Sequence, residues 1–280
     1  MAKPEIVTTV QALRVCVAAW RQDGLGVGLV PTMGALHAGH LFLVDEARKR
    51  TARVVVSIFV NPAQFAPHED FDRYPRALAD DTEKLSGSAD LVFAPSVAEI
   101  YPRGFATRIE VGGPSTGLET DFRPHFFGGV ATVVAKLLIA AMPDIAMFGE
   151  KDYQQLLVVR RLTADLGLPI EIVGGAIQRE SDGLALSSRN AYLKPDERKV
   201  AGQLNLILKD IAARARHGAA IAEAEARGTD ALLAAGFHSV DYVAIRDAAT
   251  LTCIEALTVP ARILAAAKIG ATRLIDNMAV

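Results

Sequence analysis

Five short apolar, β-branched runs at residues 27–30, 54–60, 91–94, 145–148 and 170–173 alternate with helical-period segments at 7–22, 40–50, 75–85, 130–141 and 154–166. Valine-rich runs without polar alternation suit strands buried on both faces, and their regular interleaving with helices predicts a parallel sheet covered on either side. The expected fold is therefore α/β, a Rossmann-like doubly wound parallel sheet. Ligands of such sheets sit beyond the carboxyl ends of the strands. The polar segments fall where that rule places a site: 31–40 after the first run, 61–65 after the second, 149–152 after the fourth.

Beyond residue 173 the texture changes. Gly174-Gly175 and the polar stretch 178–190 read as a hinge, and Pro195 stands as the first residue of a helix. Alanine-rich helices at 195–216 and 220–235 precede strand-like runs at 240–245, 261–267 and 273–276. This order predicts a smaller C-terminal α+β domain, dividing the chain into residues 1–176 and 177–280. With 280 residues, 51% of them hydrophobic, both parts can bury a core.

Net charge is −2 and no run of five like charges occurs, which argues against an extended nucleic-acid surface. No 18-residue apolar run and no signal-peptide pattern is present, so no membrane partner is expected. Two cysteines, Cys16 and Cys253, fit a reducing, cytoplasmic compartment and give no disulfide framework. A dinucleotide fingerprint after the first strand is missing, as is a P-loop.

The first polar segment reads Pro31-Thr32-Met33-Gly34-Ala35-Leu36-His37-Ala38-Gly39-His40 and runs straight into a helix. The first turn of a helix carries unpaired N–H groups and partial positive charge, so it attracts phosphate. His37 and His40, three apart, can share one face of that turn, and Gly39 leaves room for a ligand between them. The pair could equally cap the helix or ligate a metal, although zinc-protease spacing is absent. Asn61 and Gln64 offer amides for hydroxyl and carboxylate groups, or simply a turn before Pro62. Gly149-Glu150-Lys151-Asp152 combines close backbone approach, a phosphate-binding cation and a carboxylate for a ribose or a metal-bound water, with Gln155 one helical turn on. Leu186-Ser187-Ser188-Arg189-Asn190 reads as a mobile loop able to close over a triphosphate, or as a serine-rich surface loop. Glu119 and Arg123 form a candidate ion pair near a substrate pocket, or a surface pair of little consequence. His68, Glu69, Asp70, Asp72, Asp80 and Asp81 read as surface charge without a ligand role.

Taken together these segments describe a site that activates a carboxylate with ATP. With Tyr74-Pro75-Arg76, Phe148-Gly149-Glu150-Lys151-Asp152-Tyr153-Gln154-Gln155, Asp182-Gly183-Leu184-Ala185-Leu186-Ser187-Ser188-Arg189-Asn190 and Arg273-Leu274-Ile275-Asp276-Asn277, the chain closely resembles the pantothenate synthetases over nearly its whole length. That is an ATP-dependent ligase family of the nucleotidyltransferase superfamily, which also holds the class I aminoacyl-tRNA synthetases. The resemblance implies condensation of pantoate with β-alanine to pantothenate through a pantoyl adenylate, releasing AMP and pyrophosphate, with Mg²⁺ carried mainly by the ATP phosphates and a homodimer as the active form. It assigns catalysis to His37, His40, Lys151 and Arg189, with His37 as general acid. ATP would be bound by Met33, Gly34, Ala35, Leu36, His37, Ala38, Gly39, His40, Gly149, Glu150, Lys151, Asp152, Gln178, Leu186, Ser187, Ser188 and Arg189. Pantoate would be held by Asn61, Gln64 and Gln155. The family commonly reads Arg-Pro-Gly-His-Phe-x-Gly-Val where this chain has Arg123-Pro124-His125-Phe126-Phe127-Gly128-Gly129-Val130, so His125 receives no role. A transferase that stops at an adenylylated acceptor, and a non-catalytic nucleotide sensor, are the competing functional readings.

Overall fold

The computed structural model describes residues 2–66, 69 and 71–280, so His68 and Asp70 lie outside the described residues. The first part of the chain forms β1 (Glu5–Val7), α1 (Val10–Gln22), β2 (Val27–Thr32), α2 (Ala38–Arg48), β3 (Arg53–Ile58), α3 (Leu78–Lys84), β4 (Leu91–Phe93), α4 (Val97–Ile100), α5 (Glu119–Phe122), α6 (Phe126–Ala141), β5 (Ile145–Gly149), α7 (Tyr153–Asp165) and β6 (Glu171–Gly175). The remainder forms α8 (Pro195–Ala201), α9 (Gln203–Arg216), α10 (Ile221–Ala234), β7 (Ser239–Asp247), β8 (Ala261–Ile269) and β9 (Thr272–Ala279).

The six N-terminal strands make one sheet in the order β1-β4-β3-β2-β5-β6, every neighbouring pair parallel. Alternation along the central strands splits its core in two. Leu29 and Val55 join Leu13, Leu138, Leu156 and Leu162 on one face, while Val30, Val54 and Val56 meet Val44, Leu85 and Met147 on the other. The C-terminal sheet is antiparallel, β7-β8-β9, and packs Val243, Ile245, Ile263 and Ala265 against Leu204, Leu208 and Ile211 of α9. The expected α/β architecture with a smaller α+β part is therefore what forms. A further apolar cluster joins Leu118 and Leu157 of the first part to Ala244, Leu251 and Leu264 of the second. Among the described residues no helix is long and apolar enough to cross a membrane.

Several elements depart from the sequence reading. Residues 5–7 are an edge strand whose Glu5, Ile6 and Val7 pair in parallel with Leu91, Val92 and Phe93. The first helix accordingly starts at Val10, capped by the Thr9 hydroxyl, which accepts the Ala12 N–H at 3.1 Å. The helix expected over 195–216 is two, α8 and α9 meeting at the single turn residue Gly202, where a Cβ would stand 2.6 Å from the Asp182 carboxylate. The helix expected over 130–141 begins earlier, at Phe126. That added turn carries Gly129 against the backbone of the 3-10 turn Pro62–Gln64, and a Cβ there would lie 2.2 Å from the Ala63 carbonyl oxygen.

Backbone cannot retreat as a side-chain tip can. Gly129→Ala should therefore cost about 1–3 kcal/mol in denaturant unfolding; stability equal to the parent chain would contradict this packing.

Candidate active site

Strand β2 has β3 on one side and β5 on the other, so the chain direction of the winding reverses there and leaves a crevice at the carboxyl ends. A cavity of about 880 Å³ opens at that point. The turn after β2 contributes Met33, His37, Gly39 and His40; the turn after β3 contributes Asn61 and Gln64. The exit of β5 supplies Gly149, Lys151 and Asp152, with Gln155 from α7, and the segment before α8 supplies Gln178, Leu186, Ser187, Ser188 and Arg189. Five sequence candidates, Gly34, Ala35, Leu36, Ala38 and Glu150, do not line the cavity.

The imidazoles are held by their own turn. His37 precedes α2, and its Nδ1 accepts the Gly39 N–H at 3.1 Å; the His37 N–H reaches His40 Nδ1 at 3.4 Å. Both Nδ1 atoms act as acceptors, which assigns the proton of each neutral ring to Nε2. The rings lie 4.0 Å apart between centroids. A Cβ on residue 39 would come within 2.9 Å of the His37 ring, so this ring position requires glycine. Burial, and then the Lys151 charge, lower the His37 pKa from 6.5 to about 4. Burial, then His37 and Lys151, lower that of His40 to about 3. At neutral pH the site thus presents two uncharged N–H donors beside a lysine.

Asp81, read from the sequence as surface charge, is fully buried. Its carboxylate accepts the N–H groups of Ala35 and Leu36, each at 2.8 Å, and Lys84 donates to the Leu36 carbonyl at 2.9 Å. The N–H groups of these two residues, expected at ATP by resemblance, are therefore engaged by α3. Such charge-assisted bonds fix the backbone directly ahead of His37.

Asn61 is also a positioning group as much as a lining one. Tyr101 donates to its Oδ1 at 2.7 Å, and its amide donates to Gln64 Oε1 at 3.1 Å and the Gly129 carbonyl at 3.2 Å. With Oε1 engaged, the Gln64 NH₂ is turned towards Met33, whose sulfur it meets at 3.2 Å, within the cavity wall. Gln178 lines the cavity while its carbonyl accepts the Leu186 N–H at 2.9 Å. The side chain of Glu150 is directed to Arg262, at 3.2 Å. Tyr74, whose hydroxyl lies 3.1 Å from that of Ser188, also lines the cavity, with the Arg189 guanidinium 5.9 Å from its ring centre.

The Glu119–Arg123 pair is part of a buried network rather than a surface contact. Glu119 accepts both Arg273 terminal nitrogens at 2.8 Å and the Tyr242 hydroxyl at 2.7 Å, with Arg123 3.6 Å away. Arg123 makes a two-point contact with Glu69, at 2.6 and 2.8 Å, and lies 3.9 Å from the Phe126 ring centre. Burial and then the Glu119 carboxylate push the Tyr242 phenol well above its ordinary pKa, keeping it a donor. Tyr242 and Arg273 come from β7 and β9, more than a hundred residues along the chain, and no local pattern around Glu119 signals them.

Comparison with known proteins bears directly on this arrangement. The family model for pantoate–β-alanine ligase matches residues 5–279. The chain belongs to the pantoate–β-alanine ligase family. It is a ligase that joins pantoate to β-alanine in the synthesis of pantothenate. It is 57% identical over 281 residues to pantothenate synthetase of Mesorhizobium japonicum, covering 100% of this chain and 99% of that protein. The crystal structure of pantothenate synthetase from Thermus thermophilus superimposes with a TM-score of 0.91 at 49% identity, covering 98% of each chain. The pantoate–β-alanine ligase of Francisella tularensis, solved in complex with β-γ ATP and β-alanine, aligns with a TM-score of 0.83 at 33% identity, covering 99% of this chain and 97% of that one.

The depressed histidine pKa values give the ligase a defined acid response. As pH falls below 6.5, the unfolded chain binds protons that His37 refuses until about 4 and His40 until about 3, so these rings withdraw stability through that interval. His40→Gln should flatten the fall in unfolding free energy between about pH 7 and pH 5. An unchanged slope would show that His40 is not held neutral.

Proposed function

We propose that the ligation runs through ATP in two steps within the one cavity. A carboxylate oxygen of pantoate attacks the α-phosphorus of ATP, the bond to the bridging oxygen breaks, and pyrophosphate leaves with that electron pair. The amine of β-alanine then attacks the acyl carbon of pantoyl adenylate, and AMP leaves as the amide forms. What carries this reading is the convergence of two neutral imidazole N–H donors, Lys151 and Arg189 on one cavity at the switch point of a parallel sheet. The ATP and β-alanine ligands of the Francisella tularensis relative support the same choice of substrates.

In this reading Gln64, held by Asn61, and Gln155 take the hydroxyl and carboxylate groups of pantoate. His37 and His40 donate through Nε2 to phosphate oxygens, and Lys151 and Arg189 meet the charge that grows on the departing pyrophosphate. Neutral imidazoles suit the task, because a bound polyphosphate raises their pKa and lets His37 pass a proton to the leaving group. Met33, Gly39, Gly149, Asp152, Gln178, Leu186, Ser187 and Ser188 form the ATP-side wall. Gly34, Ala35, Leu36, Ala38 and Glu150 act by shaping the backbone beneath it.

Among the described residues no group of three or more His, Cys, Asp or Glu side chains is placed to hold a metal, whereas Asp152 lines the cavity beside Lys151. That donor set fits a Mg²⁺ held chiefly by phosphate oxygens with Asp152 nearby, where it would supply charge neutralisation. We further propose that residues 1–176 bind ATP and pantoate while 177–280 act as a smaller cover, and that the active form is a cytoplasmic homodimer. The free Cys16 and Cys253 fit such a compartment, and the dimer rests on the family resemblance.

ATP–pyrophosphate exchange tests the first step. Exchange should require pantoate but not β-alanine, and should fall on the order of 10²- to 10³-fold in Lys151→Ala. Gln64→Ala should act chiefly through the pantoate KM. Formation of ADP, or exchange indifferent to pantoate, would contradict the adenylate route.

A further inference from the structure

The segment Arg273-Leu274-Ile275-Asp276-Asn277 lies on β9, outside the catalytic assignments above, yet Asp276 and Asn277 are buried and bonded to residues at the roots of the cavity's loops. Asn277 is 2% exposed, and its amide donates both hydrogens across to the first part of the chain, to the Glu150 carbonyl at 3.0 Å and the Lys151 carbonyl at 2.8 Å. These carbonyls belong to a 3-10 turn of three residues, Glu150–Asp152, which has no side-chain cap of its own. A single amide thus grips two successive peptides of the turn that carries Lys151.

The neighbouring residue fixes the backbone that carries Asn277. Asp276 accepts the Asn277 N–H with Oδ1 at 2.8 Å and receives a two-point contact from Arg179, at 2.7 and 2.9 Å. Arg179 in turn donates to the Gly183 carbonyl at 2.9 Å and pairs with Ala185 as an antiparallel bridge. That bridge is the stem from which Ser187, Ser188 and Arg189 extend. Two adjacent residues of β9, side chains on opposite faces of the strand, therefore hold the roots of both cation-bearing loops.

We propose that Asn277 is a positioning residue for the ligation, setting Lys151 for the transition state through the Glu150 and Lys151 carbonyls, with Asp276 and Arg179 holding its strand in register with the Arg189 loop. The inference rests on the reading of Lys151 as a phosphate-binding cation. Asn277 lines the cavity, but both hydrogens of its amide are spent on these two carbonyls, so its removal should displace Lys151 without taking a donor from the ligand. A displacement of about 1 Å costs on the order of 10²-fold in rate. The loss should appear in kcat of pantoate-dependent exchange, with a smaller change in the KM for ATP.

The test is a double-mutant cycle on the full-length protein with Asn277→Ala, Lys151→Ala and the pair, read by pantoate-dependent ATP–pyrophosphate exchange alongside thermal melting. If Asn277 works through Lys151, its replacement should cost on the order of 10²-fold alone and less than about twofold more once Lys151 is absent. Asn277→Ser, which keeps one donor, should recover part of the rate, and it carries the same cycle if the alanine variant does not fold. Unchanged kcat in Asn277→Ala, or an undiminished loss in the Lys151→Ala background, would overturn the proposal alone. Undiminished exchange in Lys151→Ala itself would overturn the role of the lysine and the proposal with it.

Discussion

Glu119 is the carboxylate around which the two parts of the molecule are assembled. Buried on α5 of the first part, it receives Arg273 and Tyr242 from the second and has Arg123 beside it. Arg273 is held from the other side by Asp241, at 2.6 Å. Burial alone would lower the Arg273 pKa, but the Glu119 charge and hydrogen bonds outweigh it and hold the guanidinium charged. Removing Arg273 would leave both Glu119 and Asp241 short of their main partner, at a cost of up to about 3–5 kcal/mol. Because Glu119, Asp241, Tyr242 and Arg273 all line the cavity, the contact that joins the two parts is also part of the wall.

The chemistry follows from how this frame restrains a few polar groups. Asp81 holds the peptides before His37, Gly39 makes room for its ring, and Asn61 turns the Gln64 amide. Asp81 acts from outside the cavity, whereas Gly39 and Asn61 also line it. In the proposed adenylate route, donors fixed in this way would need no reorganisation as charge develops on phosphate, which is where enclosed sites gain most of their rate. The neutral state of His37 and His40 belongs to the same design, since two imidazolium ions 4.0 Å apart beside Lys151 would repel one another in the absence of a polyphosphate.

Much of this was legible in the chain. Fully apolar runs gave away the central strands β2, β3 and β5, and the polar segments after them fell at the switch point, because strand order and loop position are coupled in parallel sheets. β1 was not legible, having three residues and existing by pairing with β4, nor was the one-residue break at Gly202, which lies against Asp182. Asp81 sits among Asp80, Glu83 and Lys84, a composition that looks solvated; only the tertiary position of α3 puts it under the Ala35 and Leu36 peptides. Glu119 likewise could be paired locally with Arg123 but not with Arg273, 154 residues away. Residue type and local spacing thus pointed to many of the groups that line the cavity, while the groups that orient them depend on contacts made only after folding.

In the proposed route the chemical centre is a bond between a pantoate oxygen and the α-phosphorus of ATP, and isotope tracing follows that bond most directly. Pantoate carrying oxygen-18 in its carboxylate would be turned over with β-alanine, and the AMP and pyrophosphate analysed by mass. Passage through pantoyl adenylate requires one labelled oxygen in AMP and none in pyrophosphate. Unlabelled AMP, or label in inorganic phosphate or pyrophosphate, would contradict it.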